Sequence, residues 1–345
     1  MKPILILKFG SAALTRPDGS LHQKALLEIA RQTASLCADW RVAIVSSGAV
    51  AAGKSFLRRY SGSLSERKAA AAIGNPLLLQ QYARFFAAFD IPVAQGLCER
   101  RHFAERTRFL QLQDTFECLW QNGVVPIVNE NDVISDRELR FSDNDELATL
   151  LAVGFGARRL LLCTTAGGLL DAEGHIIPEV AQIDDTIFGL VRPEKSTVGL
   201  GGMASKLTFA KLATRFGIQT HIFGLSDPDA ILRALNGQTG TVFSAGKSSE
   251  SARRRWLASG GLAVGQLIVD AGAAAALLRR NSLLAVGVRT VMGTFANGEL
   301  VEICDENGGT LAIARMRLGS DALIQQMGVQ GLEVAHADDI VLLSL

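Results

Sequence analysis

The chain has 345 residues, a formal net charge of +1 and an apolar fraction of 48%, so two domains are favoured over one and each can bury a core. Near-neutral charge gives no general reason to expect nucleic acid or an anionic membrane surface as a partner. No run reaches the roughly 18 uninterrupted apolar residues of a membrane span, and the apolar start of MKPILILKFG is too short for a signal-peptide core.

The first apolar run, PILILKFG, reads as a strand that ends in Lys8 and Gly10, with Ser11 next. A lysine inside so apolar a strand is unusual, because an unpaired ammonium is costly to bury. It calls for a carboxylate or phosphate beside it, unless it is an edge residue that reaches water. The segment LHQKALLEIARQTASLCADW then has helical periodicity and leads into a second strand, RVAIVSS.

The next residues, GAVAAGKS from Gly48 to Ser55, satisfy the Walker A pattern. The residues argue against that function. Ala, Val, Ala and Ala at the variable positions favour a helix at once rather than an open curl. A helix beginning near Ser47 would carry Lys54 more than a turn away from the end where an anion sits. What remains is a strand-to-helix turn at Ser46, Ser47 and Gly48, which is either an anion-facing turn or an ordinary helix cap.

Further on, PLLLQQYARFFAAFD reads as a helix, and IPVAQGLC and GVVPIVNE read as strands. The last of these enters a cluster of Asn129, Asn131, Asp132, Asp143, Asn144 and Asp145 just before another helix. Ligands bind at the carboxyl ends of parallel strands, although Asn and Asp also make plain turns and caps. RRLLLCTT and IQTHIFGL complete the apolar runs of this half. Between them, Gly199, Gly201 and Gly202 precede a helix carrying Lys206 in its first turn, a phosphate site in principle and a flexible loop otherwise. Continuous rather than alternating apolar runs suit strands covered on both faces. The expectation is an α/β domain with a mostly parallel sheet, covering residues 1–255.

After a polar stretch, AGKSSESARRR, the pattern changes to short strands with glycine turns: GQLIVD, VRTVMGTF, GELVEIC, GGTLAIARM and DDIVLLSL. They predict a small β-rich domain over 262–345, with nine acidic residues against five basic ones. Cys37, Cys98, Cys118, Cys163 and Cys304 are scattered, without C-x-x-C or close histidine partners. They read as thiols of a reducing compartment, and the expected location is the cytoplasm.

Two lysines, a carboxylate cluster and two glycine turns at strand ends suit phosphoryl transfer, in which lysines neutralise phosphate oxygens and an Asp holds Mg²⁺ or orients the lysines. None of the five histidines falls in these clusters. A hydroxyl acceptor wants a base, whereas a carboxylate, with a pKa of about 4.3, is already ionised. The acceptor is therefore expected to be an acid and the product an acyl phosphate. A dehydrogenase fails for want of G-x-G-x-x-G after the first strand.

KFGS, VSSGAVAAG, RFLQLQDT, VPIVNEND, SDNDELA, LGGMASK and the region from GQLIVD onward resemble, in order and over nearly the whole chain, the glutamate 5-kinases of the amino acid kinase family. The resemblance implies that family's α/β/α sandwich followed by a PUA-like domain, with ATP, Mg²⁺ and L-glutamate as ligands. Lys8 and Lys206 would grip the phosphates while Asp145 holds both lysines, and Ser47, Asp132 and Asn144 would bind the glutamate. Gly10 and Ser11 would approach the γ-phosphate. Thr164 and Thr165, with Leu200, Gly201, Gly202, Met203, Ala204, Ser205 and Lys206, would line the nucleotide. No residue is assigned as a direct metal ligand, and Mg²⁺ would bridge phosphate oxygens, largely keeping its waters. The Lys-Ser that completes the Walker pattern would be coincidental.

The chain departs from the family at Ala12, at Glu99 and His102, at Thr165 where Asp is usual, and at Leu200 where Thr is usual. A paralogue acting on another acid is the alternative these changes suggest. Proline as a feedback inhibitor and assembly into a homo-oligomer also follow from the resemblance. RNA binding by the C-terminal domain is disfavoured by its acidic balance, since such binders need cationic grooves.

Overall fold

Each apolar run of the N-terminal half becomes a strand, and the computed structural model describes residues 1–16, 18–134, 143–191, 202–246, 265–306 and 308–342. The chain forms two units, residues 1–100 with 110–249 and residues 250–345 with 101–109. From the N-terminus the chain order is β1 (Ile4–Phe9), α1 (Ser11–Leu14), α2 (Gln23–Leu36), β2 (Arg41–Ser46), α3 (Ala49–Lys54), α4 (Leu64–Phe86), β3 (Val93–Cys98), α5 (Arg100–Ala104), α6 (Arg106–Gln121) and β4 (Val125–Glu130), all in the first unit except residues 101–109 of α5 and α6. There follow α7 (Asn144–Phe155), β5 (Arg159–Cys163), β6 (Glu179–Val180), α8 (Asp185–Gly189), α9 (Met203–Arg215), β7 (Gln219–Phe223), α10 (Ala230–Leu235) and β8 (Thr241–Phe243).

The strands make one eight-stranded sheet in the order β3-β4-β2-β1-β5-β7-β8-β6. All its pairings are parallel except β7 with β8. Alternation along β1 decides what each side sees. Leu5, Leu7 and Phe9 join a core with Leu26 and Ile29 of α2, Tyr82 and Phe86 of α4 and Ile231 of α10. Lys8, one residue out of step, faces the opposite side and meets α7. The sheet is thus covered on both faces, as the continuous apolar runs required.

Two local readings change. The helix predicted from Pro76 onward starts at Leu64, with a capping box made by Ser63 and Glu66, and passes through Pro76. Proline lacks the N–H that would close one turn, yet the buried stripe of Asn75, Leu78, Tyr82 and Phe86 anchors the helix on either side of that gap. The helix predicted near Ser47 starts at Ala49, behind a left-handed Gly48 (φ 106°) and with no side-chain cap. Ser47 therefore caps nothing and is left for another task.

The second unit contains β9 (Gly265–Val269), α11 (Ala271–Leu278), β10 (Leu283–Leu284), β11 (Val288–Met292), β12 (Leu300–Cys304), β13 (Thr310–Arg315), α12 (Ser320–Gln325), β14 (Glu333–Ala335) and β15 (Ile340–Leu342). A five-stranded sheet runs β11-β9-β12-β13-β15, and β10 pairs with β14. Its core of Leu267, Val269, Val301, Ile303, Ala312 and Val334 is its own. The expected mostly parallel α/β domain and small β-rich domain are both present. The polar stretch AGKSSESARRR, apart from Ala245 and Gly246, and the boundary expected between 255 and 262 lie outside the described residues.

Candidate active site

Three elements deliver charge to one point. β1 supplies Lys8, the first turn of α7 supplies Asp145, and the first turn of α9 supplies Lys206. The Lys8 Nζ forms an ion pair with Asp145 Oδ1 at 2.6 Å, and the Lys206 Nζ donates to Asp145 Oδ2 at 3.0 Å. All three are buried, Lys8 at 5%, Lys206 at 6% and Asp145 at 0% exposure. Burial alone would raise the Asp145 carboxyl, but the two ammonium charges outweigh it and hold its pKa below the usual carboxylate value. Two cations against one anion leave an excess positive charge in a site shielded from water. Such an arrangement is costly until an anion arrives.

The register of the two helices is set just upstream. The Asp143 Oδ1 caps α7 by accepting from the amides of Asp145 and Glu146 at 2.8 and 3.1 Å. Its Oδ2 accepts from the Ser205 hydroxyl at 2.5 Å, one residue before Lys206. Gly202 caps α9 through its backbone, with no side-chain bond to the first amides. Met203 and Ala204 occupy the same first turn. Gly10 lies against Lys8: a Cβ at residue 10 would sit 3.7 Å from the Lys8 Nζ. Ser11 begins α1 beside it.

The acid-binding candidates meet across a neighbouring wall. The Asn144 Nδ2 donates to Ser47 Oγ at 2.9 Å and to Asn129 Oδ1 at 2.9 Å. Ser47 is held in turn by its own amide, which donates to the Phe9 carbonyl at 2.9 Å. Asp132 is half-buried in the turn after β4. Glu99, at the end of β3, accepts from Asn131 at 3.0 Å, and Arg100 pairs with the buried Glu146 next to Asp145.

Thr164 and Thr165 stand outside the lysine–carboxylate cluster, in a cleft of about 790 Å³ bounded by Ala12, Ala13, Lys24, Leu225 and Pro228. Cys163 lines the same cleft, and burial pushes its thiol up to about 12, against the pull of the Lys8 and Lys206 charges. Cys163 thus lines the cleft and also feels the charges of Lys8, Lys206 and Asp145. Leu200 and Gly201 lie outside the described residues. Among the described residues, no group of three or more His, Cys, Asp or Glu side chains is placed to hold a metal ion.

The sequence reading missed Asn75, whose Oδ1 accepts from Asn129 at 2.9 Å, and Tyr82, whose hydroxyl meets Ser46 at 3.0 Å. The signal was available at Asn75: an amide on the apolar stripe of a helix needs a buried partner.

Residues 3–224 match the amino acid kinase family and residues 265–337 match the PUA domain. The chain is 35% identical to glutamate 5-kinase of Haemophilus influenzae over 99% of this chain and 100% of that one. It is 36% identical to glutamate 5-kinase of Escherichia coli over 98% of each. A crystal structure of UMP kinase from Ureaplasma parvum covers 70% of this chain with a TM-score of 0.49 and 13% identity.

Proposed function

Because the chain belongs to the amino acid kinase family and carries a PUA domain, we propose that it transfers the γ-phosphoryl group of ATP to the side-chain carboxylate of L-glutamate. This is the reaction by which glutamate 5-kinase opens proline synthesis, and the Haemophilus influenzae and Escherichia coli relatives carry that name and match over essentially their full length. The observation that carries the reading is the single carboxylate of Asp145 held between two buried ammonium groups.

In the proposed step, a glutamate carboxylate oxygen attacks the γ-phosphorus. A new O–P bond forms, the bond to the β-phosphate oxygen breaks, and ADP leaves with that electron pair. The attacking acid is already ionised near pH 7, so no general base is needed. Lys8 and Lys206 neutralise the charge that spreads over the transferred oxygens, and Asp145 keeps them from drifting apart or binding elsewhere. Gly10 and Ser11 bring backbone to the γ-phosphate. The first turn of α9, from Gly202 to Lys206, faces the phosphate chain, and Thr164 and Thr165 line the nucleotide in the adjoining cleft. Mg²⁺ bound to the phosphate oxygens would supply further neutralisation. Ser47, Asn144 and Asp132 bind the glutamate.

The domain boundary is placed between residues 255 and 262, and proline inhibition and a homo-oligomeric state belong to the same proposal. A coupled ADP-release assay tests the reaction. ADP formation that depends on L-glutamate at saturating ATP and Mg²⁺ supports it, and its absence, or a clear preference for a different acid across a panel, overturns it. Adding proline to the same assay tests the inhibition.

A further inference from the structure

Asn75 is not among the residues assigned to a ligand, yet it ends a chain of amides that leads into the proposed glutamate pocket. It sits on α4 at 6% exposure and Asn129 sits at the end of β4 at 7%. The backbone N–H of Glu130, which can only donate, points at the Asn129 Oδ1 at 2.9 Å. That contact fixes the sense of every amide in the row. The Asn129 NH₂ must face α4, where Asn75 Oδ1 accepts it at 2.9 Å. The group that Asn144 turns to Asn129 Oδ1 must be its own NH₂, and the same nitrogen also donates to Ser47 Oγ. Both hydrogens of that nitrogen are then committed. The ligand-facing capacity of the pair is therefore defined: the Asn144 Oδ1 can accept, and the Ser47 hydroxyl can donate.

We infer that Asn75 is a positioning residue for the acceptor substrate. It holds the Asn129 amide in the orientation that presents Asn144 as an acceptor for an ammonium and Ser47 as a donor for a carboxylate, the two halves of an α-amino acid. The support for Asn75 is itself rigid. Gly74 beside it packs backbone to backbone on α3, where a Cβ at residue 74 would come 1.8 Å from the Ala49 carbonyl oxygen. Seven residues on, and on the same face of α4, Tyr82 pins Ser46 next to Ser47. The helix thus fixes both β2 and β4 at their carboxyl ends, one polar contact to each.

This inference rests on the glutamate kinase reading, and the test separates the two. The parent is assayed first: failure to turn over glutamate sinks the substrate reading, whereas a working parent leaves the variants to judge Asn75. Asn75→Leu removes the acceptor and leaves a buried NH₂ unpaired, a loss that corresponds to a rise of about tenfold in KM for glutamate. KM for ATP should stay within about twofold of the parent, because the nucleotide residues are not in the chain of amides. Asn75→Asp keeps an oxygen facing Asn129 and should bring KM for glutamate back to within about threefold of the parent. If Asn75→Leu does not fold, Asn75→Ala removes the same acceptor and takes its place. An unchanged KM for glutamate, an equal rise in both KM values, or an Asp variant no better than the Leu variant would each overturn the assignment.

Discussion

Ser205, one residue before Lys206 on α9, donates at 2.5 Å to Asp143, two residues before Asp145, to which Lys206 donates at 3.0 Å. Two rungs therefore join the N-terminal turns of α9 and α7, and only the second carries an ammonium. The first rung sets the approach of the second. Ser205→Ala should lower kcat by about tenfold, the effect of losing a hydrogen bond to a charged acceptor, with little change in Tm. Asp143→Ala also strips the cap from α7 and should cost about 1 kcal/mol more in stability. Steady-state kinetics and thermal melts on the two variants distinguish them. Equal melting losses would mean that the first rung does not separate into a catalytic and a structural share.

Three residues that carry the charged site should behave differently from the lysine of the Walker-like segment. Lys206→Ala should reduce turnover by about a thousandfold, in the range seen when one electrostatic donor to a transition state is removed. Asp145→Ala should be at least as inactive and also less stable by about 3–5 kcal/mol, because it strands two buried ammonium groups. Lys54 is the last residue of the six-residue helix α3, so Lys54→Ala should leave turnover unchanged. Loss of activity in Lys54→Ala together with an active Lys206→Ala would return the nucleotide to residues 48–55.

The sheet was legible because burial on both faces writes itself as apolar runs in β1, β2, β4 and β5, and the edge strand β3 and β7 also fall inside runs read from sequence. β6, β10 and β14, with two or three residues each, carry no period and went unread. Pro76 misled because its local effect is to end helices, while the stripe that holds α4 together acts over distance. At the site, Lys8 announced itself as an ammonium in an apolar strand that needed a partner, and Asp145 is that partner. Asn75 carried a similar signal, but the helix was read only from Pro76 onward and left it out, and the Tyr82 hydroxyl finds Ser46 only in the fold.

His221 gives the fold a pH dependence. It is buried on β7, and burial, helped by the charge of Arg159, depresses its pKa from 6.5 to about 4. The native state refuses a proton that the unfolded chain accepts below pH 6.5. The stability associated with neutral His221 is therefore complete above pH 6.5 and is lost as pH falls toward 4, by of order 3 kcal/mol over the whole window. His221→Leu should flatten this part of the curve. Thermal melts of parent and variant from pH 7 to pH 4.5 test it, and parallel curves would show that His221 does not contribute.

The backbone contact of α3 with α4 leaves no room for a side chain. A Cβ at Gly53 would lie 1.9 Å from the Ala70 carbonyl oxygen, and one at Gly74 would lie 1.8 Å from that of Ala49. Gly74→Ala should therefore destabilise by about 3 kcal/mol or more. Gly189→Ala, where a new Cβ meets nothing within 4 Å, should change stability by no more than about 1 kcal/mol, in the stabilising direction. Tm values for the two variants decide the matter, and similar values would show that the helices can part.

The order in which the three charges occur along the chain has a consequence during synthesis. A ribosome delivers Lys8 first, on β1, then Asp145 at the start of α7, and Lys206 only with α9. The anion emerges between the two cations, so the growing polypeptide can neutralise its first ammonium before the second is made. At no stage must an incomplete sheet shelter two like charges without their counter-ion, and the surplus cation is the last of the three to be installed.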